Sequence, residues 1–174
     1  MKKALVFLNM GAPRNLDEVE VFLRNMFTDK NIITVKSGLL RSIIASSIIA
    51  SRKNEAKENY AQLGGKSPLV DHTQTFISNV KKAFPEYEVV NIMRYTPSFA
   101  LSEVKWLKAK GVEDITVIPL YAQYSTTTTK SSLEDLMEAM AKANFTPDMK
   151  VVSRFYKNET YNRAIIEQIK EALG

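Results

Sequence analysis

The sequence predicts a three-layer α/β sandwich around a parallel, four-stranded sheet, formed as a single domain over residues 1–174. Three observations carry this expectation. Short β-branched runs alternate with amphipathic segments along the chain, which implies a parallel sheet covered by helices on both faces. Several of these runs end in polar, unusual segments, as expected where strand ends converge on one edge. The chain has 174 residues, 45% apolar and 25% charged, enough for one sizeable core and unlike a disordered composition.

Ala4–Leu8 is an apolar run closed by Gly11 and Pro13, a first buried strand and its turn. From Asp17 onward Val19, Val21, Phe22, Leu23 and Met26 keep helical spacing. Asp17, Glu18 and Glu20 crowd the first turns, where the helix dipole favours acid. Leu39 to Tyr60 reads as a long helix striped by Leu40, Ile44 and Ile48 and widened by Ile43 and Ile49, with a bend or break expected at Ser46 and Ser47. Gly64, Gly65 and Pro68 form a loop, and a helix capped by Asp71 presents Phe76, Ile77 and Val80. The segment "YEVVNIMRY" is the second strand, and the helix Ser98–Lys110 is stopped by Gly111. "ITVIPLY" is the third strand. Ser131 with Glu134 predicts a capping box for a helix through Ala143. "MKVVSRFY" is the fourth strand and Tyr161–Ala172 the last helix.

Composition narrows the chemistry. The absence of cysteine excludes disulfides, thiolate metal sites and a cysteine nucleophile. A net charge of +5 favours an anionic partner, but no zinc-finger or aromatic-rich RNA-binding pattern points to nucleic acid. The basic N-terminus leads into only about five apolar residues before Asn9, a strand rather than a signal segment. No run approaches the roughly 18–20 apolar residues of a membrane span, and a cytoplasmic location is expected.

The strand ends "NMGAP", "MRYTP" and "PLYAQYS" should meet at one edge, where a rigid scaffold holds functional loops. "GGKSP" lacks the order of a P-loop and does not follow the first strand; "NMGAP" lacks the glycine series of a dinucleotide site. His72 is the only histidine and has no partners for a zinc set, so a structural place near a helix start is expected. Arg94 offers a fork of donors for a carboxylate or phosphate, and Tyr95 a flat face with one hydroxyl. Tyr121, Gln123 and Tyr124 follow the third strand. The hydroxyls and Lys130 of "STTTTKSS" stand near a helix start, either as an anion site or as turn and cap residues. "GLLRSIIASSIIASRK" has three open readings: a buried core helix, a lip touching lipid beside Arg41, Arg52 and Lys53, or an apolar wall for a large hydrophobic ligand.

Four segments together resemble the ferrochelatase family: "LNMGAP" at 8–13, "NYAQLGGKSPL" at 59–69, "MRYTP" at 93–97 and "PLYAQYSTTTTKSS" at 119–132. The resemblance implies a Rossmann-like, chelatase-like α/β domain from an enzyme that inserts ferrous iron into protoporphyrin IX to form protohaem. It covers the N-terminal half only. The family's catalytic histidine and glutamate lie in a C-terminal domain that this chain lacks, and His72 is not their equivalent. No catalytic or metal-ligating residue is therefore expected here, nor a tightly bound cofactor; the substrates would be the porphyrin and ferrous iron.

By motif, Met10 resembles the residue near the porphyrin centre. Met26, Phe27 and Ile32 resemble an apolar pocket and lip. Arg52, Tyr60 and Ser67 resemble polar contacts to the porphyrin's acidic edge. Arg94 and Tyr95 resemble the pair flanking the metal-insertion site, and Gln123, Tyr124 and Ser125 belong to the loop after the third strand. Lys66 and Ala122 stand where the family usually has glycine and proline. The expected partners are porphyrin, ferrous iron, the C-terminal domain and a membrane surface touched peripherally; nucleic acid is not expected. The alternatives are another tetrapyrrole metal chelatase, or a non-catalytic module binding tetrapyrrole or a lipid surface.

Overall fold

A computed structural model describes residues 1–152 and 154–174. Four strands form one parallel sheet: β1 (Lys2–Asn9), β2 (Glu88–Met93), β3 (Val112–Pro119) and β4 (Asp148–Val151), in the order β2-β1-β3-β4. β1 is central. It pairs with β2 from Ala4↔Glu88 to Asn9↔Met93 and with β3 from Ala4↔Ile115 to Leu8↔Pro119. Its apolar run is therefore enclosed, with Val6 and Leu8 fully buried.

Helices cover the sheet as the alternating pattern requires. On one face α4 (Ala100–Ala109) and α5 (Ser131–Ala143) pack Ala100, Val104, Leu107, Leu136 and Ala139 against Val6, Leu8, Ile92, Ile115 and Val117. Each fully buried aliphatic side chain of this layer contributes about 2 kcal/mol of burial free energy. On the other face α3 (Pro68–Ala83) lies over β2, and Phe76 meets Phe7 edge-on with ring centroids 5.0 Å apart. α1 (Glu18–Phe27) and α2 (Gly38–Gln62) pack against each other around a second cluster of Val19, Phe22, Leu23, Ala45, Ile49 and Tyr95.

Three local expectations change. α2 runs unbroken through Ser46 and Ser47, because both are exposed and neither interrupts the buried Ala45 and Ile49 stripe. α3 is capped by Ser67, whose hydroxyl accepts from the Leu69 N–H, with Pro68 at the first helical position. Asp71 instead lies inside the first turn, paired to Lys66. The fourth strand ends at Val151, although the Val152 N–H still donates to Val117; residue 153 of the expected run lies outside the described residues. β4 is exposed along its whole length, and α6 (Glu159–Leu173) buries no side chain.

Candidate functional site

The ends of β1, β2 and β3 meet at one edge through main-chain hydrogen bonds that continue the ladder beyond the strands. The Arg94 N–H donates to Asn9 C=O at 2.9 Å, the Tyr95 N–H to Met10 C=O at 3.0 Å, and the Leu120 N–H to Leu8 C=O at 2.8 Å. Gly11 turns the chain away with φ +84°, and a Cβ at this position would run into Thr96 Oγ1. The Pro13 C=O then accepts from the Ser67 N–H at 3.0 Å, so the loop after β1 is tied to the start of α3.

An apolar floor lies beside this edge. Met10, Met26, Phe27, Ile32 and Tyr60 all pack, partly buried, against the cluster containing Tyr95. Tyr95 is itself buried, and its ring meets Phe22 edge-on at 6.2 Å. Six of the residues singled out from sequence thus come together. Tyr60 is also the anchor for the end of α2: the Gly65 N–H donates to its C=O at 2.8 Å, with Gly64 and Gly65 both at φ +85°. The double glycine is a helix terminus. Burial pushes the Tyr60 phenol above its ordinary range.

The other expected site residues are not part of this apolar cluster. Arg52 is exposed on α2. Ser67 is buried and serves as the cap of α3. Gln123 and Tyr124 are exposed on the loop after β3, with the Arg154 guanidinium 5.7 Å from the Tyr124 ring centroid. The Ser125 hydroxyl accepts from the Thr127 N–H and caps a π-helical turn, Thr126–Lys130, which runs directly into α5. His72 is exposed on α3.

A polar centre joins the three elements. Asp29 follows α1, and its side chain is fully buried. Its Oδ2 accepts from Arg94 Nη2 at 3.0 Å, from the Tyr95 hydroxyl at 2.9 Å and from the Ser131 hydroxyl; its Oδ1 accepts from the Asn31 N–H at 2.7 Å. Burial alone would push this carboxyl up. The donors Ser131, Asn31 and Tyr95, with the Arg94 charge, outweigh it and hold the group below the usual carboxylate range. Arg94 Nε also donates to Ser131 Oγ at 2.9 Å, and its Nη1 faces Asp135 Oδ1 at 3.5 Å. Burial raises the Asp135 carboxyl, with Arg94 working against it.

Ser131 is therefore not the capping-box residue expected. The π-helical turn already continues the helix on its N-terminal side, so Ser131 has no free amide to cap. Its partner in that expectation, Glu134, accepts instead from Asn31 Nδ2 at 2.9 Å. Sequence reasoning missed Asp29, Asn31 and Asp135. One available signal was an aspartate at the C-terminal end of a helix, where the dipole disfavours negative charge unless a cation compensates. Among the described residues, no group of three or more His, Cys, Asp or Glu side chains is arranged to hold a metal ion.

The strand ends of this parallel α/β sheet carry an apolar floor and an ion pair built on a buried carboxylate, at the carboxyl edge where open α/β folds commonly take their ligands. The chain belongs to the ferrochelatase family: the family model described as Ferrochelatase matches residues 2–174. It is 50% identical over 171 residues to the ferrochelatase of a Nitratiruptor species, covering 98% of this chain and 55% of that protein. It is 50% identical over 174 residues to that of Sulfurimonas denitrificans, covering 99% and 55%, and 44% identical over 174 residues to that of Wolinella succinogenes, covering 100% and 55%. The chain spans about half the length of the curated relatives it matches.

Proposed function

We propose that this chain is the N-terminal, porphyrin-binding half of an enzyme that inserts ferrous iron into protoporphyrin IX. The observation that carries the reading is the convergence of Met10, Met26, Phe27, Ile32 and Tyr60 on Tyr95 beside the strand ends. A porphyrin is large, flat and greasy, with carboxylates on one side. It calls for aliphatic and aromatic walls with cations and hydroxyls at the rim. The floor supplies the walls. Arg52, on the same helix as Tyr60 and exposed, supplies a cation for the rim. Met10 would touch the macrocycle through a soft thioether that fits irregular surfaces.

In the reaction, iron replaces two pyrrole protons, which leave to an acceptor, and the ring is held off-plane so that its nitrogens face the ion. Remote contacts between the floor and the macrocycle supply binding energy for that distortion. The proton acceptor and the opposite wall belong to a C-terminal domain not included in this chain. Gln123, Tyr124, Ser125 and Ser67 are proposed as later contacts, made when the two halves close. Leu39, Leu40 and Ile43, exposed at the start of α2, support a peripheral membrane contact of a cytoplasmic protein. No helix among the described residues is long and apolar enough to cross a membrane.

Absorbance titration of the chain with protoporphyrin IX tests the reading. Saturable binding is expected, weakened roughly tenfold by Arg52→Ala through loss of a charge-assisted contact. A linear, non-saturating signal for the unsubstituted chain defeats the proposal. Unchanged affinity in the variant removes Arg52 from the rim.

A further inference from the structure

β2 is an edge strand of the sheet, and Asn91 interrupts its apolar run. Val90 and Ile92 belong to the core under α4 and α5. By strand alternation Val89, Asn91 and Met93 face the opposite side, toward α3. Asn91 Oδ1 is buried there without a hydrogen-bond partner in the protein. Buried amide oxygens are nearly always paired, and an apolar side chain at this position would avoid the cost of desolvating one. Asn91 borders a cavity of about 490 Å³ between α3 and β2 that reaches around the sheet edge to Glu103 of α4. Cavities of this size hold small ligands. None of Met10, Met26, Phe27, Ile32 and Tyr60 lines it, so it is separate from the apolar floor.

The lining sets the chemistry of the ligand. Val70, Ile77, Val89 and Met93 supply an aliphatic side, and no aromatic ring borders the cavity among the described residues. Some of its polar groups are already engaged: the Thr73 hydroxyl donates to the Leu69 C=O at 2.7 Å, and the Arg14 guanidinium is paired with Glu18. Glu103 and Lys81 belong to no ion pair among the described residues. Burial pushes the Glu103 carboxyl up, and the Ser98 hydroxyl and the Lys81 charge offset this only in part. Lys81 is exposed in the last turn of α3. An ammonium entering the cavity would find an acceptor in Asn91 Oδ1 and a counter-charge in Glu103, and a carboxylate would find Lys81. We infer that this cavity is a binding site for a small aliphatic α-amino acid, with its ammonium held by Asn91 and Glu103, its carboxylate by Lys81 and its side chain by Val70, Ile77 and Met93. The site goes beyond the proposed function and does not depend on porphyrin binding.

The test is isothermal titration of the full-length protein with L-leucine, in the absence of porphyrin and metal. Saturable binding is expected. Isocaproate has the same carbon skeleton without the ammonium, and isoamylamine lacks the carboxylate. Each should bind at least roughly tenfold more weakly, through loss of a charge-assisted contact. Asn91→Leu, Glu103→Gln and Lys81→Met should each weaken leucine binding by about tenfold for the same reason. If Asn91→Leu does not fold, Glu103→Gln and Lys81→Met decide, because both lie on helices outside the sheet. The inference is overturned if leucine gives no saturable binding to the unsubstituted protein, as it would if a water molecule alone answered Asn91. It is overturned equally if isocaproate or isoamylamine binds as tightly as leucine, or if the folded variants keep their affinity.

Discussion

Asp29 shows how one buried carboxylate can organise a whole edge. A lone charge at this depth would be expelled or neutralised. It stays ionised because four donors from the α1 end, the β2 end and the α5 start surround it. Asp29→Asn leaves those donors facing an amide that can satisfy only part of them, and should cost about 3 kcal/mol in chemical denaturation. The pH dependence has a definite sign. The folded carboxyl lies below its unfolded value, so its stabilisation is present above the ordinary carboxylate pKa of about 4 and is lost as the pH falls through the folded value. Acid unfolding followed by circular dichroism should therefore be less steep below about pH 4 in Asp29→Asn. Equal slopes would show that the carboxylate carries no such linkage. Gly11 supplies a second case. Gly11→Ala forces a left-handed backbone on alanine and drives its Cβ against Thr96, which should cost about 2–3 kcal/mol in the same assay.

At the scale of elements, stability is unevenly spread. Ser67→Ala should remove about 1 kcal/mol by uncapping α3. Truncation after Asn158, by contrast, should cost less than about 1 kcal/mol, or roughly 2–4 °C in Tm, because α6 buries no side chain. A larger loss in thermal melts would mean that α6 is docked. The elements themselves were legible because each buried run announces its own period. The apolar stretch Ala4–Leu8 predicts the enclosed β1, and the Phe76 stripe predicts which face of α3 meets Phe7. Met10, Met26, Phe27, Ile32, Tyr60 and Tyr95, which pack together, are brought forward by resemblance of motifs rather than by spacing. What escaped was the polar centre. Asp29, Arg94 and the Ser131–Asp135 turn are far apart in sequence and meet only because the ends of α1 and β2 lie at the start of α5. Local rules assigned Ser131 to a cap and gave Asp29 and Asp135 no role. A hydroxyl three residues before a glutamate satisfies the capping pattern even where a preceding π-helical turn has already used the helix start.

For the whole molecule, the exposed surfaces argue that ligand binding and chemistry separate. On the proposed reading a complete cleft would surround the macrocycle, and Met10, Met26, Phe27, Ile32 and Tyr60, each only partly buried on a core of their own, would form one wall of it. Apolar side chains are also left bare on β4 and α6, among them Met149, Val151, Ile166 and Ile169, as expected of faces that pack against further structure. We therefore expect the 174-residue chain to bind protoporphyrin IX more weakly than the full-length protein, and to insert no iron by itself. A proton acceptor with a pKa near neutrality is needed for the pyrrole protons, and the only histidine, His72, is exposed on α3 outside the Met10–Tyr95 cluster. Separately expressed halves make the comparison. Porphyrin fluorescence should respond saturably to this chain alone, and the spectral change of metallation should appear only after the remaining half is added. Metallation by this chain alone would place the proton acceptor within residues 1–174.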